Sequence, residues 1–243
     1  MQQYSDILDI IHKLNKNSRH DNLILAAGMY YDNVSPSLFQ YPNFTNMIDS
    51  DQLDYFRFRE LELLSQVIKQ KNIVGELAEV GVYKGDFACK MNALFPSKKL
   101  YLFDTFSGFH KCDVELERKN NLVKEDFVSL IDEYSHTDVN YVLNRMKYPK
   151  QCIPIVGYFP ESLNDLEEIF CLVSIDVDLY RPTYSALEYF YPRLQKNGYI
   201  MLHDYNHDEL FGVKKAVADY EKKVGPLILL PIADQCGTII ISK

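Results

Sequence analysis

The chain of 243 residues contains no tryptophan, and it has no long uninterrupted apolar segment. No stretch approaches the roughly 18 consecutive apolar residues of a membrane-spanning helix. The first segment, MQQYSDILDIIHKLNKN, also lacks the apolar core of a signal peptide. We therefore expect a cytoplasmic protein that makes no membrane contact.

Paired cysteine motifs are absent as well. The five cysteines are an odd number, with no C-x-x-C and no histidine at zinc-finger spacing, which argues against a disulfide framework. Cys152, Cys171 and Cys236 lie in or beside apolar runs, so we expect them to be reduced residues of the core.

Basic residues are outnumbered, with 26 Lys and Arg against 34 Asp and Glu and a formal net charge of −8. This balance disfavours nucleic acid and anionic membranes as partners. No linker rich in proline, glycine or serine divides the chain. The length and composition predict one domain over 53–243 with an N-terminal arm over 1–52.

Short β-rich runs alternate with helical patterns from Glu76 onward. The runs are ELAEVGVY, KLYLFDTF, CIPIVGYF, CLVSIDVD and GYIMLHDY. Most are apolar at both alternate sets of positions, as expected for strands covered by helices on both faces. One predicted helix, TYSALEYFYPRL, is expected to stop at Asn197-Gly198. The pattern predicts an α/β fold with a doubly wound, mostly parallel sheet.

The last two runs, PLILLPI and GTIIISK, are separated only by ADQC. This connection is too short for a helical crossover, so the two strands should form an antiparallel hairpin. A seven-stranded, mostly parallel sheet ending in such a hairpin is typical of class I methyltransferases, which have a Rossmann-like fold. The insertion at about 110–147 is long and charged, and we expect its charged faces to be solvated; part of it is also a candidate lid.

The segment AEVGVYKGDFA predicts a nucleoside site. A strand ends at Glu79 and turns through Gly81 and Gly85 into a helix, where backbone can approach a ligand closely. Val80 replaces the first glycine of G-x-G-x-x-G, which disfavours a dinucleotide. Asp104 ends the next strand about twenty residues later, where an acid can accept hydrogen bonds from ribose hydroxyls. A plain strand-to-helix turn and a solvated aspartate are the alternatives.

Four potential metal ligands end the next two strands. Asp176 and Asp178 follow one apolar run, and His203 and Asp204 follow the next. Ligands bind beyond the carboxyl ends of such strands. Carboxylates suit Mg²⁺, which we expect first, while an imidazole shifts the preference toward Mn²⁺ or another transition metal. The alternative is that each acid caps a loop.

These motifs resemble the macrocin O-methyltransferase (TylF/MycF) family over about Leu53 to Tyr220. The matching segments are GELAEVGVYKGDFA, LYLFDTFSGF, IVGYFPESL, IDVDLYRPTYSALEYFYPRLQKNGYIMLHDY and GVKKAVADY. The resemblance implies S-adenosylmethionine as methyl donor, a sugar hydroxyl as acceptor and a divalent metal. It also implies Asp176 and Asp204 as metal ligands and Asp178 as the base. Many members carry Asp-Asp where this chain has His203-Asp204.

Candidate contacts follow from these segments. The catalytic candidates are Asp178 and Asp176, and the metal candidates are Asp176, His203 and Asp204. The cofactor candidates are Glu79, Gly81, Tyr83, Gly85, Asp104, Thr105, Phe106, Ser107, Gly157, Tyr158, Phe159 and Asp176. Core packing is the alternative for Phe106, Tyr158 and Phe159. Acceptor contacts are considered for Tyr180 and His110, and acceptor or subunit contacts for Tyr30, Tyr31, Arg57 and Arg59.

The sequence therefore predicts an S-adenosylmethionine-dependent, metal-dependent O-methyltransferase that acts on a sugar. The sugar can be free, nucleotide-linked, or part of a glycan or natural-product glycoside. The alternatives are a methyltransferase of another small vicinal diol, a nicotinamide-dependent oxidoreductase and a non-catalytic cofactor-binding module. The resemblance also implies a homo-oligomer, a dimer or larger.

Overall fold

The order of helices and strands follows the alternation seen in the sequence. The computed structural model describes residues 55–124, 133–135, 137–234 and 236–243. The helices are α1 (Tyr55–Gln70), α2 (Asp86–Leu94), α3 (Lys111–Lys119), α4 (Val139–Arg145), α5 (Tyr180–Arg193) and α6 (Phe211–Val224). The strands are β1 (Glu76–Val80), β2 (Leu100–Asp104), β3 (Cys152–Val156), β4 (Phe170–Ile175), β5 (Leu194–Leu202), β6 (Ile228–Pro231) and β7 (Ile239–Ser242). Short 3-10 turns lie at Glu133–Ser135, Pro149–Gln151 and Glu161–Leu163.

The seven strands form one sheet in the order β3-β2-β1-β4-β5-β7-β6. The first five strands are parallel, and β7 is antiparallel to both of its neighbours. The predicted doubly wound sheet and its terminal hairpin are thus confirmed. Val80 pairs with Phe103 and Ile175, and Ile175 pairs with Leu202. The carboxyl ends of β1, β2, β4 and β5 therefore meet at one edge.

The core lies on both faces of the central strands. Each of the six residues of β4 is buried, as expected for a strand that helices cover on both sides. Phe190 of α5 meets Phe103 and Phe170 with ring centroids 5.6 and 5.0 Å apart. Burial of each such ring contributes about 1.5–3 kcal/mol, so this cluster fixes the position of α5 on the sheet.

The predicted helix after β4 ends within one residue of the observed one, but its expected stop signal, Asn197-Gly198, does not end a helix. The helix α5 ends at Arg193, and β5 begins at Leu194 and contains Asn197-Gly198. Asn197 has φ +63°, and the register of β5 against β4 shifts between Phe170 and Leu172. An Asn-Gly pair favours left-handed backbone, which serves a bulge in a strand as well as the end of a helix. The pair alone cannot distinguish the two.

The expectation for the charged insertion was also wrong in part. Asp113 and Glu117 on α3 are 2% and 1% exposed, so this face of the helix is not solvated. Buried carboxylates require hydrogen bonds or ion pairs, and both acids have them. Residues 125–132 and 136 of the insertion lie outside the described residues.

Contacts divide the chain into two compact units, Met1–Leu64 with Ala233–Gln235, and Ser65–Ile232 with Cys236–Lys243. The seven strands belong to the second unit. The predicted arm over 1–52, with Tyr30 and Tyr31, lies outside the described residues, and its boundary stays a prediction. In the first unit, Arg57 is buried and Arg59 forms an ion pair with Glu62. Among the described residues, no helix has both the length and the apolar character needed to cross a membrane.

Candidate active site

The turn after β1 depends on two glycines. Gly81 has φ +84°, and a Cβ atom there would lie 1.7 Å from the backbone oxygen of Asp176. Gly85 has φ +80°, and a Cβ atom there would lie 2.8 Å from Cγ1 of Val142 on α4. No L side chain fits either position without movement. In both places the close neighbour is protein, so the glycines hold the turn against the end of β4 and against α4.

Asp104 at the end of β2 holds the same turn from the other side. Its Oδ2 accepts hydrogen bonds from the backbone N–H groups of Val82 and Tyr83, at 2.7 and 2.9 Å. Its Oδ1 accepts one from the N–H of Phe106 at 2.7 Å. A carboxylate offers about four acceptor sites, so Oδ1 keeps capacity for one ribose hydroxyl. The sequence did not predict this backbone role.

The loop after β2 is fixed by short local contacts. Oγ1 of Thr105 donates to the carbonyl of Gly108 at 2.7 Å and accepts from the N–H of Ser107 at 3.1 Å. The N–H of Gly157, after β3, donates to the backbone oxygen of Asp104 at 2.9 Å. The loops after β2 and β3 therefore lie side by side, next to the turn after β1. Glu79, the penultimate residue of β1, is a buried carboxylate, 2% exposed.

Phe159 belongs to the core rather than to a ligand site. It is 6% exposed, and its ring centroid lies 5.6 Å from that of Phe103 and 5.8 Å from that of Phe190. The core-packing alternative therefore applies to Phe159, and we withdraw it as a cofactor contact. Tyr158 differs, because its hydroxyl donates to Oδ2 of Asp113 at 2.8 Å and its ring lies 4.5 Å from the exposed His110.

Tyr180 is also a packing residue rather than an acceptor contact. Its hydroxyl donates to Oδ2 of Asp219 at 3.1 Å, and its ring lies 6.1 Å from that of Tyr184. The side chain is therefore directed toward α6, which carries Asp219. An acceptor contact for Tyr180 has no support from this orientation.

The structure brings the four predicted ligand residues together. Nδ1 of His203 lies 3.1 Å from Oδ1 of Asp176 and 3.0 Å from Oδ2 of Asp204. Asp176, Asp178 and Asp204 each offer an oxygen within 4.8 Å of the others. The N–H of Asp176 donates to Val80 O at 2.8 Å, so the cluster adjoins the turn after β1.

Unusual backbone conformations direct two of these acids. Asp178 and Asp204 both have φ +57°, and the N–H of Leu179 donates to Val177 O at 2.5 Å around Asp178. Such left-handed residues store about 1–3 kcal/mol each and are frequent at functional sites. Burial and then the charges of Asp204 and Asp176 raise the pKa of Asp178 well above its usual range.

The donor set fits a divalent cation. Three carboxylates this close repel one another, and a cation offsets that repulsion. Ligands about 2.1 Å from a metal in octahedral geometry lie about 3 Å from each other, which is the spacing of His203 from Asp176 and Asp204. The turn after β1, with its left-handed glycines and the start of α2, fits the amino-acid part of S-adenosylmethionine.

Tyr134 is a site residue that sequence reasoning missed. Its ring lies 5.2 Å from that of Tyr83 and 5.3 Å from that of Phe109. Burial and then the charges of Asp178, Asp176 and Asp204 raise the pKa of Tyr134. The 3-10 turn Glu133–Ser135 therefore packs against the turn after β1 and the loop after β2. The only sequence signal was an aromatic residue within a charged insertion.

Glu117 is a second missed residue, and it supports the loop that carries the acids. Its Oε1 accepts the N–H of Tyr180, the first residue of α5, at 2.5 Å. A Cβ atom on Gly212, at the start of α6, would lie 2.4 Å from its Oε2. The carboxylate thus sits at two helix N-termini, where negative charge is favoured. Burial, only partly offset by the Tyr180 hydrogen bond, raises the pKa of Glu117 to about 7.

Asp113, one turn earlier on α3, ties the same helix to α5 and to the loop after β3. Its Oδ1 lies 3.1 Å from the guanidinium of Arg181, and its Oδ2 accepts the hydroxyl of Tyr158. The spacing of the two acids on one helix face was visible in the sequence, but nothing there showed that the face is buried.

Comparison with known proteins identifies related enzymes. A family model described as Macrocin-O-methyltransferase (TylF) matches residues 41–236. A relative from Streptomyces olivaceus, 8-demethyl-8-(2,3-dimethoxy-alpha-L-rhamnosyl)-tetracenomycin-C 4'-O-methyltransferase, is 24% identical over 191 residues, 75% of this chain and 70% of the relative. Demethyldecarbamoylnovobiocin O-methyltransferase from Streptomyces niveus is 25% identical over 195 residues, 74% of this chain and 70% of the relative.

The fold is also similar to that of a solved enzyme. The structure of the O-methyltransferase NovP superposes with a TM-score of 0.63 at 16% sequence identity, covering 79% of this chain and 81% of NovP. At this identity the likeness concerns the fold alone. It agrees with the class I methyltransferase topology of the sheet.

Proposed function

The chain belongs to the macrocin-O-methyltransferase (TylF) family of S-adenosylmethionine-dependent O-methyltransferases, and we propose that its acceptor is a sugar hydroxyl and that its reaction needs a divalent metal. The sugar is supported by the S. olivaceus relative, whose name describes a rhamnosyl group on tetracenomycin-C. The metal is supported by the donor set at the ends of β4 and β5.

One observation carries the proposal: the acid cluster and the turn after β1 are joined by backbone. The oxygen of Asp176 lies where only glycine at position 81 leaves room, and the N–H of Asp176 donates to Val80 O at 2.8 Å. Methyl transfer requires the methyl carbon and the acceptor oxygen to be about 3 Å apart and aligned with the sulfur. A methyl donor in the turn would place its methyl group beside the acids.

Each residue of the site has a separate role in the proposed reaction. Asp104 and the two glycines shape the turn for the donor, and Oδ1 of Asp104 accepts one ribose hydroxyl. Asp176, His203 and Asp204 would hold the cation, which would supply Lewis acidity to lower the pKa of a nearby hydroxyl. Asp178 accepts the proton of the acceptor hydroxyl.

The chemical step is then a displacement at carbon. A bond forms between the acceptor oxygen and the methyl carbon, and the carbon–sulfur bond breaks with its electron pair leaving on sulfur. The products are a methyl ether and a neutral thioether, and the proton stays on Asp178 until solvent removes it. The 3-10 turn with Tyr134 packs against Tyr83 of the turn after β1, where it can restrict access of water to the reacting oxygen.

Calorimetric titrations and product analysis test this function. S-adenosylmethionine and, separately, NAD are titrated into metal-stripped protein, and each titration is repeated with a divalent metal. The protein is then incubated with S-adenosylmethionine and rhamnosides, either nucleotide-linked or attached to an aromatic aglycone. We expect binding of the methyl donor, no binding of NAD, and a methylated sugar in the mass spectrum that disappears when a chelator removes the metal.

The other outcomes separate the alternatives. Methylation of a catechol but of no sugar would support the small vicinal diol as acceptor. Sugar methylation that persists after the metal is removed would eliminate the metal-assisted step. Binding of the methyl donor without any methylation would favour the non-catalytic module.

A further inference from the structure

Cys236 lies beside the ligand cluster and not in the core, where the sequence placed it. Its Sγ, a ring nitrogen of His203 and a carboxylate oxygen of Asp204 all lie within 4.8 Å of one another. The thiol is half-buried. The connection between β6 and β7 that carries Cys236 therefore contributes a side chain to the edge of the sheet where β4 and β5 end.

Contacts next to Cys236 hold this connection in place. Gly237 has φ +65°, and a Cβ atom there would lie 2.4 Å from Cβ of Asn206. The N–H of Asn206 donates to the carbonyl of Gly237 at 3.2 Å. Asn206 is two residues after Asp204, so the segment before β7 is held against the loop after β5.

The two possible ligand groups share Asp204. One group contains Asp176, Asp178 and Asp204, and the other contains His203, Asp204 and Cys236. His203 links them, since its Nδ1 is 3.1 Å from Oδ1 of Asp176. An ion held by His203, Asp204 and Cys236 uses the second group, lies next to Asp176 and leaves Asp178 available to accept a proton.

Thiolate, imidazole and carboxylate form a mixed donor set. Mg²⁺ prefers oxygen ligands and octahedral geometry. Thiolate and imidazole favour first-row transition ions, such as Zn²⁺, Co²⁺ and Fe²⁺. We propose that Cys236, with His203 and Asp204, is a ligand of the active-site cation and that the site therefore selects a thiophilic transition metal over the Mg²⁺ expected from the sequence. This inference rests on the proposed metal dependence.

Cobalt spectroscopy tests the thiolate ligand directly. Co²⁺ is titrated into the metal-stripped full chain, and the absorption spectrum is recorded. A sulfur-to-cobalt charge-transfer band is expected in the near ultraviolet for the wild-type protein and for Cys89→Ser, whose cysteine is likewise half-buried but lies on α2. The band should be lost in Cys236→Ser, while weaker cobalt bands from nitrogen and oxygen ligands remain.

Competition titrations test the selectivity. Cys236→Ser should lower the affinity for Zn²⁺ by at least about tenfold, the loss typical of a disturbed metal site, and leave the affinity for Mg²⁺ unchanged. Circular dichroism and the affinity for S-adenosylmethionine show whether the variant is folded. If the variant does not fold, the wild-type protein is alkylated with and without Zn²⁺ instead. Mass spectrometry then identifies the alkylated cysteines, and Zn²⁺ should protect Cys236.

Two results would overturn the inference in different ways. Cobalt binding without the charge-transfer band, or an unchanged affinity of Cys236→Ser for Zn²⁺, would remove Cys236 as a ligand and leave the metal-dependent function standing. Absence of binding of any of these ions to the wild-type protein would remove both the ligand and the metal dependence. Binding of S-adenosylmethionine to that same sample would show that the methyltransferase assignment survives.

Discussion

Gly81 connects the turn after β1 to the acid cluster, because the backbone oxygen of Asp176 occupies the space that a Cβ atom on residue 81 would need. The same residue donates its N–H to Phe103 O of β2 at 2.9 Å. Three neighbouring strand ends therefore meet at one residue. A change at this position therefore alters both the turn after β1 and the segment that carries Asp176.

We expect Gly81→Ala to be strongly destabilising. Its Cβ atom would require the end of β4 to move, and overpacking of this kind costs about 1–3 kcal/mol. The left-handed φ adds about 1–2 kcal/mol. Urea denaturation should show the total loss of unfolding free energy, and calorimetry should show weaker binding of both S-adenosylmethionine and metal.

Gly225→Ala is the matched control for this substitution. Gly225 also has positive φ, +93°, but a Cβ atom there would meet nothing within 4 Å. The control should lose stability through backbone strain alone and keep both ligand affinities. Equal losses in the two variants would show that the contact with Asp176 is unimportant.

Asp178→Asn tests the proposed base. Asparagine tolerates the left-handed conformation of this position, so the three-residue turn around it should persist. Loss of a general base typically lowers the rate about 10²–10⁴-fold. We expect kcat to fall by this factor in a methyl-transfer assay, with S-adenosylmethionine affinity unchanged; full turnover would exclude Asp178 from proton transfer.

At the scale of single elements, α3 shows where sequence reasoning fails. Its polar residues outnumber its apolar ones, so the pattern predicts a solvated helix, yet Glu117 and Asp113 are buried against the start of α5. A carboxylate that caps another helix leaves no trace in its own sequence neighbourhood. The strands were predictable because burial of apolar runs is favourable wherever they lie in the chain. The cluster of Asp176, Asp178, His203 and Asp204 was predictable because the carboxyl ends of parallel strands meet at one edge of the sheet.

Residues whose role depends on a distant partner could not be predicted in the same way. Tyr134 meets Tyr83 across more than fifty positions of the sequence, and Cys236 meets His203 across more than thirty. Phe159 is the converse case, because its distant partners are residues of the core. A ligand contact was expected from its position after β3, but its ring packs against Phe103 and Phe190 in the core.

Glu117 should make stability depend on pH. Its pKa of about 7 in the folded protein lies above the ordinary value of 4.5, so the folded state binds this proton more tightly than the unfolded chain. Its contribution to stability is present below pH 4.5 and is lost as the pH rises through about 7. Between pH 5 and 8 the loss is on the order of 1–3 kcal/mol.

Glu117→Gln removes this titration and keeps an oxygen that can accept the N–H of Tyr180. The unfolding free energy of the variant, measured by urea denaturation at pH 5 and pH 8, should fall less between the two values than that of the wild type. Glu115→Gln, an exposed acid on the same helix, should behave like the wild type. Identical pH slopes for all three proteins would show that Glu117 does not retain a proton on folding.

At the scale of the whole molecule, one edge of the sheet carries the site. The turn after β1, the loops after β2 and β3 and the acids after β4 and β5 all lie at the carboxyl ends of parallel strands. The antiparallel β7 reverses the chain, so the connection before it returns to the same edge with Cys236. Under the proposed function, this topology would place donor and metal in neighbouring but separate sites.

Separate sites predict separate effects of each ligand on global stability. A ligand at a hundred times its Kd stabilises the native state by about 2.7 kcal/mol, which for a chain of this size raises Tm by about 5–10 °C. S-adenosylmethionine and Zn²⁺ should each give such a shift in a thermal melt. Asp204→Asn, which preserves the left-handed backbone but removes a ligand charge, should lose the metal shift and keep the donor shift. Loss of both shifts would instead mean that Asp204 supports the two sites together, because the contact between Gly81 and Asp176 would then transmit the change from β5 through β4 to the donor turn.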